Sequence, residues 1–124
     1  IEVNPMRFAG WCVADMTSHA WDFNPYEYYL KGLRPDWSAL LEQRRGKVWG
    51  VVVADISPDV DRSRIASVDY EGFAARFSQL LELRPVDYSA YSVFGFAFVQ
   101  AEEGEMDELR AMLGADMGEF IEMK

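Results

Sequence analysis

The chain has very little of the two residue types on which metal sites and nucleophilic catalysis most often depend. Its 124 residues include one cysteine, Cys12, and one histidine, His19. A single cysteine excludes an intramolecular disulfide and a zinc site built from several cysteines, and it favours a reducing compartment such as the cytoplasm. Any mechanism that needs an imidazole must use His19.

Long apolar runs and glycine-rich phosphate loops are also missing. No stretch reaches the roughly 18 consecutive apolar residues of a membrane span. Residues 1–10 lack the basic start and apolar block of a secretory signal. The nine glycines never fall into G-x-G-x-x-G or P-loop spacing. We therefore expect no membrane partner and no cofactor.

Basic residues are scarce relative to acidic ones. Twelve Lys and Arg stand against 21 Asp and Glu, which gives a formal net charge of −9. Much of the excess lies in residues 101–124, where acids far outnumber bases. A surface of this sign repels phosphate backbones and attracts cationic partners. The sequence therefore disfavours nucleic-acid binding and favours a basic protein partner.

The composition is that of a folded globular protein. Half of the residues are hydrophobic and 15% are aromatic, which supplies enough apolar surface for a core. The length fits one compact domain spanning residues 1–124.

Hydrophobic spacing and helix-cap signals predict an alternation of strands and helices. Strands are predicted at residues 6–14, 47–56, 90–100 and 119–123, and helices at 25–30, 35–45, 69–83 and 103–113. For residues 6–14 a short helix is the alternative. The segments 47–56 and 90–100 are apolar on both faces, as in strands buried between helices, with Phe94, Phe96 and Phe98 expected on one face. We therefore predict an α/β fold with a mixed, largely parallel sheet covered by helices on both faces, and α+β as the alternative.

One region combines exposed-type aromatic residues with carboxylates. Tyrosines and tryptophans provide large, rigid contact areas with a polar tip, and neighbouring acids suit a cationic partner. The acidic start of the helix at 103–113 adds a second group of charges. The candidate partner-binding residues are Asp22, Tyr26, Glu27, Tyr28, Tyr29, Asp36, Glu103 and Asp107. The alternative interpretation places these rings in the core and the acids on a solvated helix start.

Two groups of residues carry the competing hypothesis of a small hydrolase. His19 with Asp22 has the residue types of an acid–base pair, and Cys12 is a nucleophile of the type that works with a histidine. Three aspartates, Asp55, Asp59 and Asp61, follow a predicted buried strand and have the oxygen ligands that Mg²⁺ prefers. The structural alternatives are a loop histidine, a core thiol and ordinary turn residues.

Taken together, these features favour a non-enzymatic, acidic protein-binding module over a hydrolase. The size, charge and lack of a catalytic motif are similar to those of immunity proteins and antitoxin-like inhibitors, which bind basic nuclease toxins in the cytoplasm. This is an analogy of size and charge, with no shared motif behind it.

Overall fold

A computed structural model describes residues 12–124 of the chain. The elements in chain order are α1 (Val13–Trp21), α2 (Pro25–Lys31), α3 (Trp37–Arg44), β1 (Lys47–Asp55), β2 (Ile65–Val68), α4 (Tyr70–Ala74), β3 (Leu80–Pro85), β4 (Val93–Glu102), α5 (Asp107–Met112) and β5 (Ile121–Met123). Short 3₁₀ turns at Arg62–Arg64 and Met117–Phe120 precede β2 and β5.

The main sheet has three strands in the order β1–β4–β3, and both pairings are antiparallel. The prediction of a largely parallel sheet is therefore wrong. A parallel sheet needs a long crossover between strands, whereas the connection from Pro85 to Val93 is a short loop that closes a hairpin. Strand β4 is apolar on both faces because it is central and covered on both sides, which does not require parallel neighbours.

The helix predicted at residues 69–83 is the source of that error. Helix α4 ends at Ala74, and the chain then extends into β3, which pairs with β4. Asp69 caps α4 by accepting a hydrogen bond from the backbone N–H of Gly72, as a helix start should. The apolar residues that follow have helical spacing, but pairing with a buried strand outweighs that local pattern.

Most of the other predicted helices and strands are present in the structure. The helices at 25–30 and 35–45 and the strands at 47–56 and 90–100 are confirmed with small shifts at their ends. The helix predicted at 103–113 forms only over Asp107–Met112, and the strand predicted at 119–123 forms only over Ile121–Met123, after a 3₁₀ turn. The strand predicted at residues 6–14 lies mostly outside the described residues. Its last two residues, Val13 and Ala14, begin helix α1.

Strand β4 contains an extra residue that changes which face its phenylalanines occupy. Ala54 pairs with Gly95 and Asp55 pairs with Val93, so Phe94 is left over as a bulge. Phe94 consequently joins the core on one face, while Phe96 and Phe98 lie on the other. The expectation that all three rings share a face is wrong for this reason.

The two faces of the main sheet are covered by different helices. On one face, Cys12 and Met16 at the start of α1 pack against Phe96 and Phe98. On the other, α4, α5 and the small β2–β5 sheet enclose a cluster centred on Phe73. The ring of Phe73 lies 5.3–5.4 Å from those of Phe77, Phe94 and Phe120, each in an edge-to-face arrangement. Within residues 12–124, no helix has the length and apolar character needed to cross a membrane.

Candidate binding surface

Helices α2 and α3 follow one another in the chain and are joined by residues 32–36, and this α2–α3 segment has capping residues at its helix ends. The side chain of Asn24 accepts hydrogen bonds from the backbone N–H groups of Tyr26 and Glu27 at the start of α2. Gly32 ends α2 in the left-handed conformation, at φ +62°. Asp36 then caps α3 by accepting from the N–H of Ala39. The predicted partner-binding residue Asp36 therefore has a structural role, although its side chain is exposed.

Several aromatic rings of this region attach the α2–α3 segment to the rest of the fold. Trp21 of α1 packs edge-on against Trp37, with ring centroids 5.6 Å apart, and also approaches Trp49 of β1. Phe23 packs against Tyr28 and Trp37. Tyr28 is thus half-buried, which makes it part of the packing as well as a candidate contact residue.

The α2–α3 segment nevertheless leaves several large apolar side chains in solvent. Tyr29 is 67% exposed, Leu30 66% and Trp37 51%, even though Trp37 contacts two other rings. The residues of this α2–α3 patch are Tyr29, Leu30, Leu33, Trp37 and Leu41. Trp37 and Leu41 are one helical turn apart and so share a face of α3. Tyr29 was predicted from the sequence, whereas the leucines were missed because they look like core residues.

Two of the predicted contact carboxylates, Asp22 and Glu27, are exposed, and one of them is engaged in an ion pair. Glu27 is exposed and forms an ion pair of 2.6 Å with Lys31, one helical turn away. Asp22 is exposed at the end of α1, where its backbone adopts the left-handed conformation at φ +57°. Tyr26 is half-buried and lines a small cavity with Cys12, apart from the patch.

The two predicted contact residues from the C-terminal part of the chain do not join the patch as a group. The backbone N–H of Glu103 donates to the carbonyl of Gly46, which places Glu103 beside the connection from α3 to β1. Asp107 belongs to α5, which packs on the opposite face of the sheet, and it forms an exposed ion pair with Arg110. The structure therefore separates Asp107 from the α2–α3 segment.

His19 lies in a charged cluster that the sequence did not reveal. Its Nε2 atom is 2.7 Å from Oε2 of Glu82 on β3. The guanidinium of Arg84 bonds to Glu82 and, at 3.0 Å, to Asp15 of α1. The ring of Phe98 lies beneath this cluster, with His19 at 4.9 Å and Arg84 at 5.0 Å from it. These contacts join α1 to β3 over an aromatic ring.

The surroundings of this cluster shift the pKa of Glu82 and that of the nearby Cys12 thiol. Burial acts to raise the pKa of Glu82, but hydrogen bonds from His19 and Arg84 outweigh it and hold the pKa below its ordinary value. Burial raises the pKa of the Cys12 thiol, and the carboxylates of Asp15 and Glu82 raise it further. Cys12 is therefore held in its unreactive, protonated form at neutral pH.

The predicted catalytic groups are placed differently from what the hydrolase hypothesis requires. The carboxylate that bonds His19 is Glu82 rather than Asp22. Asp61 accepts hydrogen bonds from the hydroxyl and backbone N–H of Ser63, which lower its pKa and identify it as a turn residue. Within residues 12–124, no group of three or more histidine, cysteine or acidic side chains is arranged to hold a metal ion, so Asp55, Asp59 and Asp61 do not form one there.

Comparison with known proteins identifies no relative of this chain. No protein-family model matches the chain, and neither curated proteins nor solved structures give a match.

Proposed function

We propose that this chain is a non-enzymatic, acidic protein-binding module that captures a basic protein through the α2–α3 patch. The observation that carries the proposal is the number of large, exposed apolar side chains, from Tyr29 to Leu41, within one short segment of the chain. Isolated exposed leucines are common on protein surfaces, whereas larger groups of exposed apolar side chains often mark interaction sites.

The patch has the energetic capacity to anchor a partner. Fully burying one large apolar side chain contributes about 1.5–3 kcal/mol. Tyr29, Leu30 and Trp37 are each half to two-thirds exposed, so a partner that covers all three gains roughly 3–5 kcal/mol from them. Tyrosine and tryptophan are also the residues most often found at the energetic centre of protein interfaces.

Helix caps and ring packing hold the helix ends of the α2–α3 segment and the ring of Trp37 in place. Caps at Asn24, Gly32 and Asp36 satisfy the helix ends, and the Trp37 ring is braced by Trp21 and Phe23. A preorganised surface loses little conformational entropy when it binds, which favours affinity.

The net charge of the chain indicates which charge the partner carries. A formal charge of −9 accelerates encounter with a positively charged protein and slows encounter with nucleic acid or anionic lipid. An immunity-type or antitoxin-like inhibitor of a basic partner such as a nuclease toxin, acting in the cytoplasm, fits this surface. The hydrolase alternative has less support, because His19 is engaged by Glu82 and the neighbouring Cys12 thiol is kept protonated.

The test is affinity capture from a lysate of the source cell, followed by titration of the isolated partner. We expect a basic protein that is retained at low salt and released as salt rises. Tyr29→Ala is expected to weaken the measured affinity about tenfold, as for a central interface aromatic. Tyr91→Ala is the matched control, because Tyr91 is also exposed, at 55%, but lies in the β3–β4 loop.

The outcomes separate the two hypotheses. Equal losses for Tyr29→Ala and Tyr91→Ala, or a partner whose binding does not respond to Glu27→Lys, would contradict the proposed surface. Turnover of a small substrate that is abolished by His19→Ala, in a protein that retains its thermal stability, would favour the hydrolase instead.

A further inference from the structure

In the part of the chain that the structure describes, no strand pairs with the outer edge of β1. In the described residues 12–124, β1 pairs only with β4. Just beyond the two ends of β1, the carbonyl of Gly46 accepts a hydrogen bond from the N–H of Glu103, and the N–H of Ile56 donates one to the carbonyl of Ser92. Because the direction of backbone groups alternates along a strand, the even-numbered residues of β1 direct theirs toward β4. The odd-numbered residues, including Val51, therefore direct theirs outward.

This edge lacks the features that normally prevent strands from pairing with other molecules. Between Lys47 and Asp55, β1 contains neither proline nor a charged residue. The other edge strand of the same sheet, β3, ends in Pro85 and carries Glu82 and Arg84. Edge strands are usually blunted by such residues, and a long apolar edge without them is a site for strand addition.

An apolar groove runs beside the same edge. It has a volume of about 490 Å³ and lies between β1 and α5. Leucine and methionine side chains form much of its wall, and Leu113 at its rim is 90% exposed. A strand added to β1 would cover this groove along with the free backbone groups.

We propose that the occupant is β1 of a second copy of this chain, paired antiparallel about a two-fold axis at Val51. In this register Val51 lies opposite its own equivalent, Trp49 lies opposite Val53, and Lys47 lies opposite Asp55. Two Lys47–Asp55 pairs of opposite charge therefore form, one on each side of the axis. The pairing joins two three-stranded sheets into one continuous sheet.

The hydrogen-bond pattern agrees with this register. An antiparallel pair centred on Val51 brings odd-numbered residues opposite odd-numbered residues, and these are the residues whose N–H and C=O groups face outward. Sliding one strand by two residues keeps the hydrogen bonds but removes both Lys47–Asp55 pairs and shortens the contact. The register is therefore fixed by charge as well as by length. This proposal concerns a different surface from the α2–α3 patch and does not depend on the function proposed above.

Sedimentation of the wild-type chain over a range of concentrations tests the pairing. We expect a reversible monomer–dimer equilibrium, which Val51→Pro abolishes because proline lacks the outward N–H and Val51 makes no backbone bond to β4. Tyr29→Ala is expected to leave the dimer unchanged. A wild-type monomer at all concentrations up to about 1 mM, a dimer that survives Val51→Pro, or one lost in Tyr29→Ala overturns the proposal.

A charge exchange tests the register. Asp55→Lys places like charges at both ends of the paired strands and is expected to raise the dimer dissociation constant about tenfold at low salt. The reversal is applied first to Asp55 because its own cross-strand neighbour is the uncharged Val93, whereas Lys47 lies opposite Glu102. Adding Lys47→Glu to Asp55→Lys is expected to restore dimerisation. Failure of the double variant to recover overturns this register.

Hydrogen exchange supplies a readout that does not depend on mutations. The backbone amides of Trp49, Val51 and Val53 are expected to exchange slowly in the dimer and faster on dilution. Slow exchange of these amides in a sample shown to be monomeric overturns the proposal. It would mean that another part of the same chain protects the outer edge of β1.

Discussion

Replacing Glu82 by glutamine is expected to weaken the attachment of α1 to the main sheet. Glu82 accepts hydrogen bonds from His19 on α1 and from Arg84 on β3, at distances of 2.7–2.8 Å. Glutamine has nearly the same shape but no negative charge. The substitution therefore removes the charge that holds the two donors together while leaving the packing almost unchanged.

The magnitude follows from the exposure of the cluster. A hydrogen bond to a buried charge contributes about 1.5–3 kcal/mol, but exposed ion pairs contribute only about 0.2–1 kcal/mol. The side chain of Glu82 is 33% exposed, so we use the upper part of the exposed range for each of its partners. Glu82→Gln is then expected to lower the free energy of unfolding by about 1–2 kcal/mol. For a chain of this length, that corresponds to a Tm lower by about 4–8 °C.

The loss should depend on pH in a direction that the geometry fixes. Because the pKa of Glu82 is lower in the folded chain than in the unfolded one, its charge stabilises the fold above the unfolded pKa of about 4.3. This stabilisation is lost as pH falls through the lower, folded pKa. The difference between wild type and Glu82→Gln should therefore be largest near neutral pH and shrink below about pH 4.

Urea unfolding at several pH values measures this difference. Glu105→Gln is the control, since it removes one negative charge from an exposed residue in the loop before α5 and is expected to change stability by less than about 0.5 kcal/mol. A Glu82→Gln variant as stable as wild type at pH 7, or a deficit that stays constant down to pH 3, would refute the reasoning.

Three further predictions address the core, one turn and the thiol. Phe73→Ala should lower the free energy of unfolding by about 3–5 kcal/mol, because Phe73 is fully buried among three rings; calorimetry that finds less than about 1 kcal/mol would contradict the core assignment. Gly46→Ala should cost about 1 kcal/mol, since Gly46 has φ +74° with open space around it, whereas Gly104→Ala, in open space without a positive φ, should be neutral or slightly stabilising. Iodoacetamide should alkylate Cys12 more slowly than a free cysteine at neutral pH, and the Asp15→Asn variant should react faster than wild type, because burial and the Asp15 carboxylate both raise the thiol pKa.

Local signals in the sequence predicted the elements that local chemistry determines. Asn24 followed by Pro25 marked the start of α2, and the structure shows the Asn24 side chain capping that helix. The continuous apolar run in β1 predicted a strand. Strand β3 could not be predicted in the same way, because its leucines continue the helical spacing of α4 and only pairing with β4 decides its conformation.

The candidate site likewise contains some residues that local sequence signals predict and others that they do not. Exposed aromatic residues near Tyr29 were predicted from composition and helix position, and Tyr29 is indeed largely exposed. The partner of His19 was not predictable, because Glu82 is 63 residues away in the chain and was assigned to a helix. The bulge at Phe94 was hidden as well, since one extra residue in β4 leaves no trace in an unbroken apolar run.

The two proposed interfaces should respond to salt in opposite directions, which allows them to be measured in one protein. Each chain carries a formal charge of −9, so two copies repel each other at long range, and added salt screens that repulsion. Pairing through β1 rests mainly on backbone hydrogen bonds and apolar contact, with only the two Lys47–Asp55 pairs favouring low salt. The dimer should therefore tighten as sodium chloride rises from about 0.05 to 0.5 M, over which the Debye length falls from roughly 14 to 4 Å.

Capture of a basic protein by the α2–α3 patch should weaken over the same range, because screening removes the attraction that steers it. Self-association that weakens as salt rises would mean that ion pairs, rather than backbone hydrogen bonds and apolar contact, hold the dimer together, contrary to the pairing proposed for β1.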